Sequence, residues 1–339
     1  MNYPKVAVVI IHWNRRDLLE KFLPSLVATN YPNLEIVVAD NASTDDSIDF
    51  LIQNYPSIKI VKNDKNYGYA AGYNEALKYV EADYYVLLNN DIETTPNWIG
   101  SVIDAMQQDE KIVAAQPKLL QYNNKKMFEY AGGSGGFIDS LGYVFCRGRL
   151  FEMCEEDKNQ YNEQSEIFWA SGACFFIKAK AFHEANGFDG NFFAHMEEVD
   201  LCWRLQLMSY KIISVPSAIV YHVGGSTLNK SSPQKTYLNF RNSLIMLFKN
   251  QAGAKIWWFL LFRSSLDLLS SLFFLANGFP KHSLAIHKAH AHFFFNIVKW
   301  WKLRRQIQSK IKNHDVKGVY KGSVVWKHFV LKKNYFNDL

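Results

Sequence analysis

Val6-Ala7-Val8-Val9-Ile10-Ile11, followed at once by His12-Trp13-Asn14-Arg15, decides how this 339-residue chain is read. Six consecutive apolar residues, most of them β-branched, bounded by polar ones, read as a strand buried on both faces. The figure repeats downstream. Leu34–Ala39, Ile58–Val61, Tyr84–Leu88 and Ile112–Gln116 are expected strands. Between them Asp17–Val27, Asp45–Asn54, Ala70–Val80 and Pro96–Met106 space their apolar residues at helical intervals. Ser43 and Thr44 are N-cap candidates, and Pro96 suits a first helical turn. Strand–helix alternation predicts an α/β fold: a mainly parallel central sheet flanked by helices.

Such sheets bind ligands at the carboxyl ends of their strands. His12, Trp13 and Asn14 follow the first strand, and Asp40 and Asn41 the second. Asn66, Tyr67 and Gly68 follow the third, and Asn89, Asn90 and Asp91 the fourth. Each has a bland explanation, a turn cap or a loop. Together, at one sheet edge, they predict a site. Dinucleotide and P-loop enzymes are set aside, because neither G-x-G-x-x-G nor G-x-x-x-x-G-K-[ST] occurs. Residues 119–166 show little periodicity and read as a variable insertion or acceptor-side loop, with Gly132-Gly133-Ser134-Gly135-Gly136 as a flexible turn.

The segment from Trp169 to Gly225 is the richest. Trp169 and Gly172 open it and join the substrate-binding candidates. Gly172–Ile177 is an expected strand and Ala179–Ala185 a short helix. Gly187-Phe188-Asp189 and an aromatic loop precede Glu197-Glu198-Val199-Asp200, three carboxylates in four positions at a helix start. A helix dipole favours acids there, and Asp200 with Arg204 suits an ordinary surface pair. Strands Ile212–Val215 and Ala218–Tyr221 lead to His222-Val223-Gly224-Gly225-Ser226, which places an imidazole at the same sheet edge.

Hydrophobic residues make up 48% and charged residues 21% of the chain, enough for a real core and against disorder. A mean hydropathy of −0.17 excludes a polytopic membrane protein. The four cysteines form no C-x-x-C pair, so a zinc ribbon, a redox dithiol and a disulfide framework are not expected. Val6–Ile11 is too short for a signal-peptide core, which suits a cytoplasmic setting. The net charge of +6 is uneven: residues from Ala254 onward hold 15 Lys and Arg against 3 Asp and Glu, and the rest 23 against 29. Ile256–Phe279 is apolar but interrupted by Arg263 and Asp267, which share one helical face. It suits an interfacial helix better than a spanning one. His287, His290 and His292 do not share a face and read as interfacial or solvated. The expected division is a catalytic domain over 1–250 and a basic, aromatic, helical region over 251–339, peripheral on an anionic membrane surface. No RNP, KH or zinc-finger pattern accompanies the charge, so nucleic acid is not an expected partner.

The ordered set Ile11-His12-Trp13-Asn14-Arg15, Asp40–Asp45, Asn66-Tyr67-Gly68 with Asn74, Asn89-Asn90-Asp91, Ser171-Gly172-Ala173, Gly187-Phe188-Asp189, Glu197–Leu201 and His222–Ser226 resembles glycosyltransferase family 2, the inverting enzymes of the GT-A fold, and most of all its rhamnosyltransferase-like branch. The resemblance implies an inverting transfer of a sugar from a UDP- or dTDP-linked donor to a hydroxyl of a glycan, lipid-linked, in cell-surface polysaccharide synthesis. It implies that the first turn and Asp40 hold base and ribose. The D-x-D motif reads Asn89-Asn90-Asp91, so Asp91 alone brings charge to a divalent cation (Mg²⁺ or Mn²⁺), with His222 completing that site. The base of the family's E-D pair falls on Glu198, with Glu197 as the alternative, and Asp200 supports loop and helix. Oxygen and imidazole ligands suit such cations, and a carboxylate suits removal of the acceptor proton. A non-catalytic glycan- or partner-binding module and a sugar nucleotidyltransferase are the competing expectations. The second needs a Gly-rich, Arg-containing loop after the first strand, where His12-Trp13-Asn14-Arg15-Arg16 stands.

Overall fold

The computed structural model describes residues 3–224 and 232–339. Its first half alternates β1 (Val6–His12), α1 (Arg16–Val27), β2 (Leu34–Asp40), α2 (Ser47–Asn54), β3 (Lys59–Lys62), α3 (Gly68–Ala76), β4 (Tyr84–Asn89), β5 (Ile92–Thr94), α4 (Trp98–Gln107) and β6 (Ile112–Gln121). The 119–166 region adds four short strands, β7 (Gly136–Asp139), β8 (Val144–Cys146), β9 (Arg149–Leu150) and β10 (Met153–Cys154), and then β11 (Ser165–Glu166) begins. β12 (Cys174–Lys178), α5 (Ala179–Glu184), α6 (Glu197–Leu207), β13 (Lys211–His222) and α7 (Pro233–Asn250) complete the body. Three helices follow, α8 (Ile256–Ala276), α9 (Pro280–Phe295) and α10 (Ile297–Gln308), then β14 (Val319–Tyr320).

The central sheet runs β11-β13-β6-β12-β4-β1-β2-β3, with β5 on β13. β1 pairs in parallel with β2 and β4, whereas β12 is antiparallel between β4 and β6. Alternation along β1 feeds two cores. Ala7 and Val9 face a cluster with Tyr73, Val199 and Leu244, while Val6, Val8 and Ile10 face Leu19, Trp98 and Val102. Both faces are thus covered by helices, as a continuous apolar strand requires.

Several expectations are corrected. The 119–166 region is not a loose insertion, because β7–β10 form a second sheet, order β10-β9-β8-β7-β14. The glycine cluster within it is packed: a Cβ on Gly136 would fall 2.1 Å from the Trp169 ring. The helical region also ends at Gln308. Beyond it the chain returns to the body, where β14 pairs with β7 and the Phe336 ring packs 4.9 Å from that of Phe137. The two expected strands 212–215 and 218–221 are one, with the register shifting between Val215 and Ile219 around Pro216.

Asp200 and Arg204 are not a surface pair. Asp200 is fully buried, accepts from Arg204 Nε at 2.9 Å and from Asn250 Nδ2 at 2.8 Å, and lies 3.0 Å from Lys249 Nζ. Removing one partner of a buried ion cluster strands the others. Asp200→Ala is expected to lower stability by about 3–5 kcal/mol, read from urea unfolding.

Candidate active site

Parallel registry collects the polar strand ends. His12 aligns with Asp40 across β1–β2, and Ile11 with Asn89 across β1–β4. The His12 ring is buried, its Nδ1 lies 3.1 Å from Asn90 Nδ2, and its Nε2 has no hydrogen-bond partner among the described residues. Burial lowers its pKa to about 4, outweighing Asp45, Asp40 and Asp17, so the imidazole is neutral near pH 7. Asn14 and Arg15 adopt positive φ, and Asn14 Oδ1 accepts from the Thr44 backbone at 2.8 Å. Trp13 stands at the edge of this turn with 45% of its surface open. Asp40 is buried and accepts from the Ser43 backbone at 3.0 Å.

Several motif residues are locks between loops. Asn66 Oδ1 accepts from Asn41 Nδ2 and from the Gly68 backbone, at 3.2 and 2.9 Å. Gly68 has φ +76°, and a Cβ there would lie 2.5 Å from the Phe193 carbonyl, so only glycine seats this loop against residues 191–196. Asn74 exchanges two hydrogen bonds with the Phe188 backbone, at 2.8 and 3.0 Å. Trp169 is taken into the core, with its indole N–H donated to the Phe137 carbonyl at 2.9 Å.

β13 ends where His222 aligns with Ile92, which sets the imidazole beside Asp91. His222 Nε2 lies 3.0 Å from Asp91 Oδ1 and 3.4 Å from Asn89 Nδ2, and all but Asn89 are buried. Burial opposes the imidazolium, but Glu129 and Asp91 outweigh it and raise its pKa to about 10. A carboxylate oxygen and an imidazole nitrogen converging in this way fit Mg²⁺ or Mn²⁺. No cluster of three or more ligating side chains occurs among the described residues, so further positions would fall to substrate oxygens and water. Gly225 and Ser226 lie outside the described residues.

The acids at the start of α6 lie beside the residues that lead into β12, with the Glu198 carboxyl carbon 3.7 Å from where a Cβ on Gly172 would stand. The Glu198 carboxylate is reached by the Gly172 backbone N–H. Gly172 precedes β12, and the Asn89 N–H bonds to Ala173, one residue on. Glu198 is half-buried and its Oε2 has no partner among the described residues. Burial raises its pKa to about 7 against the N–H groups of the helix start and Gly172. Glu197 is fully buried, and burial together with Glu198 pushes it well above the carboxylate range. His195 and Met196, both at φ near +70°, turn the chain into α6.

Sequence reasoning missed four contributors. Tyr69 donates to the Gly172 carbonyl at 2.6 Å, and Asn242 donates to the carbonyls of Ala194 and His195 at 2.9 and 2.7 Å. Lys249 is buried against Asp189 and Asp200, and Glu129 against His222. A lysine inside the apolar run Ile245–Asn250 was a signal for the third; a lone acid in an aperiodic stretch was none for the last. A cavity of about 470 Å³ lies elsewhere, between Arg204, Met208 and Lys249 on the body and Leu303 and Ile307 on α10, and no candidate site residue lines it.

The model of Glycosyl transferase family 2 matches residues 7–185, more than half the chain. The chain belongs to this family. It is a glycosyltransferase of the rhamnosyltransferase-like branch. It is 26% identical over 270 residues to the N-acetylglucosaminyl-diphospho-decaprenol L-rhamnosyltransferase of Mycobacterium tuberculosis, covering 75% of this chain and 86% of that one. It is 24% identical over 277 residues to the rhamnosyltransferase WbbL of Escherichia coli K12, covering 79% and 99%. Among solved structures it resembles GalNAc-T7 with UDP, GalNAc and Mn²⁺ (TM-score 0.58, 16% identity, 73% and 48% covered) and the mannosyltransferase PcManGT of Pyrobaculum calidifontis with GDP-Man and Mn²⁺ (0.53, 14%, 91% and 86%). These likenesses establish the GT-A fold.

The raised Glu198 pKa has a consequence for stability. The folded protein keeps a proton that the unfolded chain releases near the ordinary value of 4.5. That contribution is complete below this pH and is lost as the pH rises through about 7. Glu198→Gln is expected to melt above the parent at pH 8, with the gap narrowing toward pH 5. Thermal melts at both pH values check this, and a gap independent of pH contradicts it.

Proposed function

We propose that this transferase moves a hexosyl or rhamnosyl group, with inversion, from a UDP- or dTDP-linked sugar to a hydroxyl of a lipid-linked glycan, at the inner face of the cell membrane. The observation that carries the reading is a half-buried carboxylate with an unpartnered oxygen, Glu198, beside the Gly172-Ala173 turn to which the backbone of Asn89, first residue of the Asn89-Asn90-Asp91 motif, is bonded. Glu198 takes the acceptor O–H proton as that oxygen attacks the anomeric carbon and the carbon–phosphate oxygen bond breaks. A pKa of about 7 suits this task. Glu197 is buried where Glu198 is partly open, which favours Glu198 as the group that an acceptor can reach. Neutral His12, Trp13, Asp40, Asn66 and Asn89 border the donor side, and Gly172 orients Glu198 through its N–H. Asp91 and His222 would hold the divalent cation, which offsets charge on the departing diphosphate. The relatives' names support a lipid-linked acceptor and a rhamnosyl donor.

The membrane part rests on α8, whose amphipathicity is turned inside out. Its polar stripe faces protein. Arg263 Nε donates to Asp267 Oδ1 at 2.8 Å, Tyr143 and His290 reach Asp267 at 3.2 and 3.1 Å, and Ser271 meets Ser283 and His287 at 2.7 and 3.0 Å. The histidines of α9 are therefore struts between helices. The outer face presents Trp257, Trp258, Phe262, Leu269, Leu272 and Phe273, all at least half exposed, and no exposed charge lies between Lys255 and Lys281. Lys288 on α9 and Lys299, Lys302 and Arg305 on α10 are exposed as well. An uncharged apolar surface on a basic region fits an anionic bilayer. With 21 residues α8 is long enough to cross one, but its middle is bonded to Gly142 and Tyr143 of the body, so it lies along the bilayer.

Two outcomes are expected. Glu198→Gln retains binding of UDP or dTDP by calorimetry and loses transfer by about 10²–10⁴-fold; near-normal turnover refutes the assignment. The parent floats with anionic vesicles and less with neutral ones, whereas Leu269→Glu with Phe273→Glu stays at the bottom of the gradient while keeping transfer to a soluble acceptor. Failure to float, with a dimer in light scattering that the double variant abolishes, assigns the face to a second copy instead.

A further inference from the structure

We propose that Glu129 is a positioning residue for this site, holding the His222 imidazole so that Nε2 is turned toward Asp91. The inference rests on the reading above that Asp91 and His222 share a cation.

Glu129 comes from the segment after β6 that the sequence leaves without a role. Its side chain is 3% exposed, and its Oε2 lies 3.3 Å from His222 Nδ1 while Asp91 Oδ1 lies 3.0 Å from Nε2. Nδ1 is buried and makes no regular hydrogen bond among the described residues; the Glu129 carboxylate stands beside it at ion-pair distance. The ring therefore sits between two carboxylates, one per nitrogen. A histidine that merely fills the core needs neither.

Glu129 is itself fixed. Its backbone N–H bonds to the Leu119 carbonyl at 3.0 Å, and its carbonyl accepts from Gly133 at 3.1 Å. Its Oε2 also accepts from the Ala131 N–H at 2.5 Å, and its Oε1 lies 2.8 Å from where a Cβ on Gly224 would stand. The strand end bearing His222 is held in turn, since its carbonyl accepts from Tyr122 at 2.9 Å. The carboxylate thus approaches Nδ1 from a rigid frame. A metal at Nε2 would take the place of the proton held there toward Asp91, and a carboxylate at Nδ1 keeps the remaining ring proton on that nitrogen. This role explains why a buried acid persists on the far side of the ring from Asp91. It also gives the glycine cluster after Glu129 a function, because the packed turn sets the carboxylate's height.

The test measures Mn²⁺ binding to the full chain with UDP present, by EPR, together with the imidazole-nitrogen coupling to the bound ion. Glu129→Leu is expected to weaken Mn²⁺ by about 10- to 100-fold and to diminish the nitrogen coupling. Glu129→Gln, which keeps an acceptor at Nδ1, restores most of both. Should Glu129→Leu fail to fold, Glu129→Asp, one methylene short of the ring, takes its place with the same expectation. Parent-like affinity and coupling in the variants lacking the acceptor overturn the proposal, provided Asp91→Ala and His222→Ala lose the metal. Equal loss in the Gln and Leu variants also overturns it, since charge rather than orientation would then matter. If Asp91→Ala and His222→Ala leave binding intact, the shared-cation reading itself falls.

Discussion

Asp200, with no exposed surface, is the constraint on which the site depends. Its two oxygens gather Arg204, Lys249 and Asn250, and so join α6 to α7. Arg204 then reaches the carbonyls of Ala185 and Gly187, and Lys249 reaches Asp189. The helix that begins with Glu197 and Glu198 is thereby tied to α7 and to the 185–189 loop. Taking charges from water is expensive, and only a filled set of partners offsets the cost. The geometry of the base is therefore set by residues that never meet substrate.

The front half of the fold was legible because continuous apolar runs and helical spacing are local signals. Each expected strand from 6 to 116 is present, although β6 runs on to Gln121 and the short β5 was not expected, and polar strand ends meet because parallel registry aligns them. The second sheet was hidden by the length of its strands. Arg149–Leu150, Met153–Cys154 and Val319–Tyr320 are two residues each, too short for a period, and β14 pairs with a segment some 180 positions earlier. Among the site residues, acids at a helix start and polar groups at strand ends could be read as a pattern. Glu129 could not, since what makes it matter is a distance to His222.

Asn66, Asn74 and Gly187-Phe188-Asp189 show a different limit. They mark the site in sequence, yet Asn66 is bonded to Asn41 and Gly68, and Asn74 to the Phe188 backbone, rather than open. They hold the 66–68 and 187–196 loops together at the rim. A motif can identify a site through its scaffolding as readily as through its chemistry. The same holds for α8, whose composition reveals two faces but not which one meets the body; only the bonds from Tyr143 and His290 to Asp267 turn the polar stripe inward.

The turn into α6 links these parts. Two consecutive non-glycine residues, His195 and Met196, hold left-handed conformations that cost about 1–2 kcal/mol each. Such strain persists where the surroundings over-determine it. Here Asn242 supplies that restraint, donating to the carbonyls of Ala194 and His195 just ahead of Glu197 and Glu198. Asn242 stands on α7, and α7 packs along α9, the helix that backs the outward apolar face of α8. One helix therefore anchors both the loop that delivers the base and the surface that faces outward. On the proposed reading, with the apolar face of α8 on the bilayer and Glu198 as the base, this would fix the height of the carboxylate above the plane in which a lipid tether lies.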